Sequence, residues 1–147
     1  MIRWREIVSG LLGRRPNHLQ VGALCLRKRK GQAEVLLISS LDTGRLIIPK
    51  GWPMRGRSLA GAAAQEAWEE AGIRGHVRHE PLGSFSYEKQ RDGGLALRCE
   101  VRVFAIETES AAERYPEAGR RERLWLHPEE AAQRVSEPGL REIIRAL

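Results

Sequence analysis

The chain has 147 residues, of which 41% are hydrophobic and 30% are charged, and this balance predicts one soluble globular domain rather than a disordered or membrane-spanning chain. Lys and Arg number 25 against 19 Asp and Glu, and the net charge of +6 favours anionic partners. Two distant cysteines, Cys25 and Cys99, match no metal or redox spacing, so we expect buried, reduced thiols in a cytoplasmic protein.

Residues 1–17 are predicted to form a short N-terminal helix and a linker ahead of the main domain. Apolar side chains recur there at helical spacing, at positions 4, 7, 8, 11 and 12. The apolar segment is too short for a secretory signal or a membrane span, so we expect the helix to pack on the domain. A helix that lies on a membrane surface is the alternative.

The next segment predicts three strands, each bounded by charged or turn-forming residues. The second strand contains a buried apolar run. The predicted bounds are residues 18–29, 33–41 and 45–48. Pro49 stops the third strand, and a loop rich in Gly and Arg, residues 51–57, leads into the strongest helix prediction of the chain.

This helix is expected to begin after Ser58, a residue type that caps helices, and to end at Gly72. Small apolar side chains recur along one side of the helix. They are Ala60, Ala63, Ala64, Ala67 and Ala71. Such a narrow stripe is suited to close packing against a sheet.

The second half of the chain predicts a hairpin, with strands over residues 75–89 and 95–107. Apolar and charged residues alternate in the second strand, so one face is apolar and the other charged. The apolar positions are Leu95, Leu97, Cys99, Val101 and Val103. Residues 108–121 show no periodicity and are expected to form a surface loop.

A short strand over residues 123–126, a helix that opens at Pro128 and a terminal helix after Pro138 complete the prediction. This order of strands and helices predicts a single α/β domain over residues 18–147, with a mixed β-sheet between helices.

Three carboxylates share one side of the central helix. Glu66, Glu69 and Glu70 stand at positions i, i+3 and i+4, and like charges at this spacing repel one another. A divalent cation removes that repulsion, and Mg²⁺ takes oxygen ligands from one or two carboxylates together with substrate phosphates. A solvated acidic face is the alternative.

Around these carboxylates the chain resembles the Nudix hydrolase family. The family signature reads Gly, five residues, Glu, seven residues, and then Arg-Glu-apolar-x-Glu-Glu-x-Gly-apolar. Seven of its nine defined positions match, at Gly51, Glu66, Ala67, Glu69, Glu70, Gly72 and Ile73. Pro49 and Lys50 before the signature, with Trp125 and residues 128–131 after it, resemble the branch that acts on diphosphoinositol and dinucleoside polyphosphates.

The resemblance implies a Nudix-type α/β/α sandwich and a metal-dependent hydrolase that cleaves a pyrophosphate bond in nucleoside polyphosphates or related compounds. It implies Mg²⁺ or Mn²⁺ bound by Glu66, Glu69, Glu70 and the Lys50 carbonyl. The metal would orient a water molecule and lower its pKa. The three glutamates are the candidate catalytic residues; Glu69 is the first choice as general base by family analogy, and Glu100 is the next.

Substrate contacts are expected from side chains around the signature. Arg45, Lys50 and Lys89 are candidates for phosphate contacts, and Trp52 is a candidate for stacking on a base. We expect a small-molecule polyphosphate as the partner, with no specific nucleic acid and no membrane, and we leave a homodimer open.

Two signature positions differ from the family. Arg57 replaces the first Glu, which adds negative charge near the metals, and Gln65 replaces the Arg, which helps to orient the carboxylates. Loss of one partner could have made the other dispensable. The rival hypothesis is a catalytically weak nucleotide-binding or regulatory module on the same fold. Arg55 and Arg57 also make the loop basic, which favours a polyphosphate and disfavours additional metals.

Overall fold

The computed structural model describes residues 17–91 and 93–147. The N-terminal helix predicted within residues 1–17 lies, apart from Asn17, outside the described residues. The strands β1 to β8 are, in chain order, His18–Arg29, Gln32–Ser39, Leu46–Ile47, Lys50–Gly51, Ile73–Val77, Gly83–Lys89, Leu97–Ala111 and Arg123–Leu126. The helices α1 to α3 are Leu59–Ala71, Pro128–Arg134 and Pro138–Arg145.

The described strands form one mixed sheet. Its main path has the order β3-β2-β1-β7-β5, while β4 pairs with β1, β6 with β7 and β8 with β2. The two longest strands, β1 and β7, run parallel at the centre, and the other pairs among the described strands are antiparallel. The shorter strands are therefore arranged around the long central pair of strands, β1 and β7.

Helices cover both faces of the sheet and enclose two apolar cores. Side chains alternate along β1, so that Val21 and Ala23 pack towards α1 whereas Leu24 packs towards α2 and α3. The core beyond Leu24 includes Leu140 and Ile144 of α3. The predicted α/β/α sandwich with a mixed sheet is confirmed.

The predicted caps of α1 are confirmed. The Ser58 hydroxyl accepts a hydrogen bond from the Gly61 N–H at 2.9 Å. Gly72 closes the helix with a φ of 70°, in the left-handed region that glycine adopts most readily, and its N–H donates to the Trp68 carbonyl.

Four of the five alanines in the predicted stripe on α1 are buried, and the buried face is rotated from that stripe only towards Ala62. Ala64 is only partly buried, whereas Ala62, outside the predicted stripe, is fully buried. Ala62, Glu66 and Glu70 are four residues apart and lie in one row along the helix. The rotation therefore turns Glu66 and Glu70 towards the body of the domain.

The strand predicted over residues 75–89 is interrupted. Its two halves, β5 and β6, pair in succession with the same edge of β7, and residues 78–82 bulge out between them. Pro81 lies in this bulge and has no N–H to contribute to a strand ladder. The hairpin of β6 and β7 is as predicted, although Leu95 lies before β7 and is exposed.

The surface loop predicted over residues 108–121 is shorter than expected. β7 continues to Ala111 because β5 pairs with its last residues, from Ile73 opposite Ala111 onward. The remaining connection, residues 112–122, is called the β7–β8 loop below. Cys25 and Cys99 are both buried free thiols, as expected. None of the helices built from the described residues is long and apolar enough to cross a membrane.

Candidate active site

A cleft of about 780 Å³ lies beside β4. Most of the side chains that the sequence singled out line it, because β4, α1 and the end of β6 meet there. They are Arg45, Lys50, Trp52, Glu66, Glu70 and Lys89. Glu69 and Glu100 lie outside the lining.

The short strand β4 holds the two glutamates of the cleft in place. It pairs with β1 through Val21–Gly51 and Gly22–Lys50. The Lys50 N–H donates a hydrogen bond to Glu70 Oε1 at 3.3 Å. A Cβ atom on Gly51 would lie 2.4 Å from the carboxyl carbon of Glu66, so the signature glycine makes room for this carboxylate.

The electrostatics of the pair favour a bound cation. Burial, followed by the hydrogen bond and the charge of Glu70, raises the pKa of Glu66 from 4.5 to about 8. Burial also raises the pKa of Glu70, while the positive charge of Arg121 opposes that rise. Two carboxylates that resist ionising together are a site where a cation would replace a proton.

The third signature carboxylate is placed differently. Glu69 lies in a different row of α1 from Glu66 and Glu70, and its charge contributes to the raised pKa of Glu66. Its backbone carbonyl accepts a hydrogen bond from the Glu117 N–H at 3.0 Å, which ties α1 to the β7–β8 loop. The structure therefore brings Glu66 and Glu70 together in the cleft and leaves Glu69 at its margin.

Sequence reasoning missed the contribution of the β7–β8 loop. Arg121 lines the cleft, with a side chain that is only 9% exposed and a guanidinium nitrogen 3.9 Å from Glu70 Oε1. Glu117 lies 3.4 Å from the same guanidinium group and also faces Glu66 and Glu70. The only sequence signal for this contribution was the run of basic residues before β8. Because this segment has no hydrophobic periodicity, the sequence did not indicate that it lies beside the cleft.

Three further polar residues of the cleft were also missed. Tyr87 donates a hydrogen bond from its hydroxyl to Gln20 Oε1 at 2.6 Å, and the Lys50 ammonium lies 5.0 Å from the Tyr87 ring centroid. Burial raises the pKa of Tyr87 and lowers that of Lys50, where Glu70 opposes the lowering. Arg45 forms a salt bridge with Glu137, the residue before α3.

Trp52 lies at the mouth of the cleft. It is 41% exposed, its ring meets that of His18 edge to face at 6.5 Å, and the Lys89 ammonium lies 5.4 Å from its centroid. An exposed indole with a cation beside it can take a flat aromatic group next to a phosphate.

The two residues that depart from the signature, Arg57 and Gln65, do not line the cleft, and neither does Arg55. Arg55 and Arg57 are exposed, and Gln65 is partly buried on α1. The lining itself holds five acidic and four basic side chains. The prediction that Arg55 and Arg57 attract a polyphosphate therefore finds no direct contact to support it, and the cleft lacks an excess of positive charge.

The donor set fits a hard divalent cation that shares its ligands with substrate. Within residues 17–91 and 93–147, no three His, Cys, Asp or Glu side chains converge as a closed metal cage would require. Glu66 and Glu70, beside the backbone of Lys50 and Gly51, supply only oxygen ligands. That number suits Mg²⁺, which keeps several waters and takes the rest of its shell from substrate phosphates.

Comparison with known proteins identifies the domain. Residues 16–147 match the NUDIX domain. The chain is 34% identical over 109 residues to Nudix hydrolase 13, mitochondrial, of Arabidopsis thaliana, covering 71% of this chain and 54% of that protein. It is 35% identical over 107 residues to Nudix hydrolase 12, mitochondrial, of the same plant, covering 68% and 51%. The chain thus spans about half the length of these relatives.

Solved structures show the same fold at lower sequence identity. An Ap4A hydrolase binary complex from C. elegans superposes with a TM-score of 0.63 at 19% identity, covering 87% of this chain and 93% of that one. The NUDIX domain of Shewanella oneidensis NrtR, complexed with ADP ribose, gives 0.62 at 14% identity, covering 99% and 97%. The domain match and the relatives together show that this chain belongs to the NUDIX domain family.

Proposed function

We propose that the protein is a Mg²⁺- or Mn²⁺-dependent pyrophosphohydrolase that acts on nucleoside polyphosphates or related polyphosphorylated compounds. The observation that carries this proposal is the meeting of Glu66 and Glu70 at the backbone of Lys50 and Gly51, inside a cleft that also holds cationic side chains. Family membership supports hydrolysis as the reaction class.

The signature residues have separate roles in this proposal. Glu66, Glu70 and the Lys50 carbonyl would hold the metal, with Glu69 as the remaining signature carboxylate. The metal, when bound, would lower the pKa of the attacking water and offset charge on the pyrophosphate. Glu69, the general base by family analogy, lies at the margin of the cleft and stays a candidate for activating that water.

The other side chains would bind the substrate. Arg45 and Lys89 would contact phosphates, as would the Lys50 ammonium, and Trp52 would stack on the base. Because the cleft lining has no excess of positive charge, much of the neutralisation of a polyphosphate falls to the metal ions. A longer phosphate chain offers more oxygens to the metal ions and to the cationic side chains. We therefore expect dinucleoside polyphosphates to be cleaved faster than nucleoside diphosphate sugars.

The direct test is a turnover panel with Mg²⁺ or Mn²⁺ and chromatographic identification of the products. Ap4A, a nucleoside triphosphate and ADP-ribose cover the substrate classes. Glu70→Gln should abolish turnover, and Glu80→Gln, which removes the same charge at an exposed position outside the cleft, should preserve it. Faster cleavage of ADP-ribose at both low and high salt would show that the phosphate-chain argument is wrong.

The rival proposal, a nucleotide-binding or regulatory module, is favoured by Gln65 at the position of the family's arginine. It predicts binding of the same nucleotides without products at any metal concentration. Equilibrium binding measured beside the turnover panel separates the two. A cytoplasmic location and the absence of specific nucleic-acid binding stay predictions, and a homodimer stays open.

A further inference from the structure

Arg121 is a largely buried cation that faces one of the paired glutamates. Its side chain is only 9% exposed, and its guanidinium group reaches three oxygen atoms on three different segments. Nη1 donates to the Ser39 carbonyl at 3.2 Å, Nε donates to Glu117 Oε1 at 3.4 Å, and Nη2 lies 3.9 Å from Glu70 Oε1. A planar fork held at several points fixes the direction of the remaining nitrogen, which faces Glu70.

The backbone of the β7–β8 loop is anchored on both sides of Arg121. Before Arg121, the Glu117 N–H donates to the Glu69 carbonyl near the end of α1, at 3.0 Å. After Arg121, the Glu122 N–H donates to the Ser39 hydroxyl at 2.8 Å, and the Ser39 N–H donates to the Glu122 carbonyl at 3.1 Å. The loop therefore spans from α1 to the end of β2 and holds Arg121 between them.

Arg121 lies among several carboxylates. The negative charges of Glu69, Glu70 and Glu117 disfavour ionisation of Glu66, and the charge of Glu117 disfavours ionisation of Glu70. Gln65, at the signature position of an arginine, has no charge to offset them. The cation that meets Glu70 thus comes from the β7–β8 loop.

We propose that Arg121 is a positioning residue of the metal site, which holds the Glu70 carboxylate in a ligating orientation in place of a cation at position 65. This inference rests on the proposed function for the metal but not for the hydrolysis. Residues that orient metal ligands in this way change metal affinity by about 10- to 100-fold when they are removed.

The direction of the effect distinguishes positioning from charge alone. A cation close to a metal repels it, so removal of the Arg121 charge without any loss of orientation would tighten metal binding. Loss of a fixed Glu70 would weaken it. Arg121→Gln is therefore expected to weaken Mn²⁺ binding by about tenfold or more.

The experiment is calorimetric titration of the full chain with Mn²⁺, in the absence of any nucleotide. Arg114→Gln, which removes an exposed arginine from the same loop, serves as the matched control and should leave the affinity unchanged. Arg121→Lys keeps the charge and most of the buried volume but loses the fork, and it should still weaken binding by about threefold or more. This second variant tests the same claim if Arg121→Gln does not fold.

The outcomes separate this inference from the proposed function. Unchanged or tighter Mn²⁺ binding in a folded Arg121→Gln, or wild-type affinity in Arg121→Lys, would overturn the positioning role alone. A wild-type chain that binds Mn²⁺ but yields no products from any nucleotide would overturn the hydrolase proposal and leave this one standing. Failure of the wild-type chain to bind Mn²⁺ would overturn both.

Discussion

Glu66→Gln should stabilise the metal-free protein at alkaline pH. The pKa of Glu66 is about 8 in the folded protein against an ordinary value of 4.5, so between these values the folded state holds a proton that the unfolded chain has released. The free energy of unfolding of the wild type therefore falls as the pH rises from about 5 to about 8, and levels off above that. Glutamine is neutral throughout and avoids this loss.

The size of the effect follows from the same pKa difference. A rise from 4.5 to about 8 corresponds to an upper limit of about 5 kcal/mol at pH 9. Glu66 is only half-buried, and solvent screening of a group with this exposure reduces the expected gain to about 1–2 kcal/mol. At pH 5 the gain should fall below about 1 kcal/mol, because the folded wild type is then neutral at this position.

Urea denaturation in the presence of a chelator, at pH 5 and at pH 9, measures both values. Glu100→Gln makes the same change of charge outside the cleft and should show no comparable gain. A Glu66→Gln variant that is less stable than the wild type at pH 9, or equally stabilised at both pH values, would refute the account of Glu66 as a repelled, partly buried carboxylate.

Three further predictions concern metal and substrate. Mg²⁺ binding near neutral pH should release protons, because the raised pKa of Glu66 leaves part of this carboxylate protonated before the metal binds. Calorimetry in two buffers of different protonation enthalpy measures this, and zero release would contradict it. Gly51→Ala should weaken Mn²⁺ binding by about tenfold or more, because the new Cβ overlaps the Glu66 carboxylate, and unchanged calorimetric affinity would exclude that overlap. Trp52→Ala should raise KM for a nucleotide substrate and leave kcat nearly unchanged, whereas an unchanged KM would remove Trp52 from base binding.

The sequence predicted what depends on local chemistry. The caps of α1, the strand β1 over its full length, the strand β8 and the two proline-initiated helices follow from residue types at fixed positions. The sandwich follows from the order of the elements. The caps, strands and helices named here are each decided within a few residues, and each was predicted correctly.

The exact orientation of α1 could not be predicted from the sequence, because alanines occupy four of its first six positions. Ala60, Ala62, Ala63 and Ala64 surround the first turn, so hydrophobic periodicity does not tell where the buried arc ends. Tertiary packing decides it, and the buried arc extends to Ala62, in the row that also contains Glu66 and Glu70. The sequence does not distinguish the three signature carboxylates, whereas the structure places Glu66 and Glu70 in the cleft and Glu69 at its margin.

Long-range contacts explain the other omissions. Arg121 and Glu117 belong to a loop without periodicity, and their proximity to Glu70 depends on how that loop crosses from α1 to β2. Glu137 lies before a helix at the other end of the chain and reaches Arg45 only because α3 packs under the sheet. No short window of sequence contains both partners of either pair.

The two departures from the family signature therefore have unequal weight. Arg57 is exposed and stands outside the cleft lining, so a change of charge there acts on the carboxylates only through solvent, where salt screens it. Gln65 removes a charge from α1 itself, but the buried guanidinium of Arg121 faces Glu70 from the opposite segment. The site therefore keeps a cation beside Glu70, although this cation comes from the β7–β8 loop and not from position 65 of α1. Whether the enzyme is weakened then depends on whether Arg121 orients Glu70.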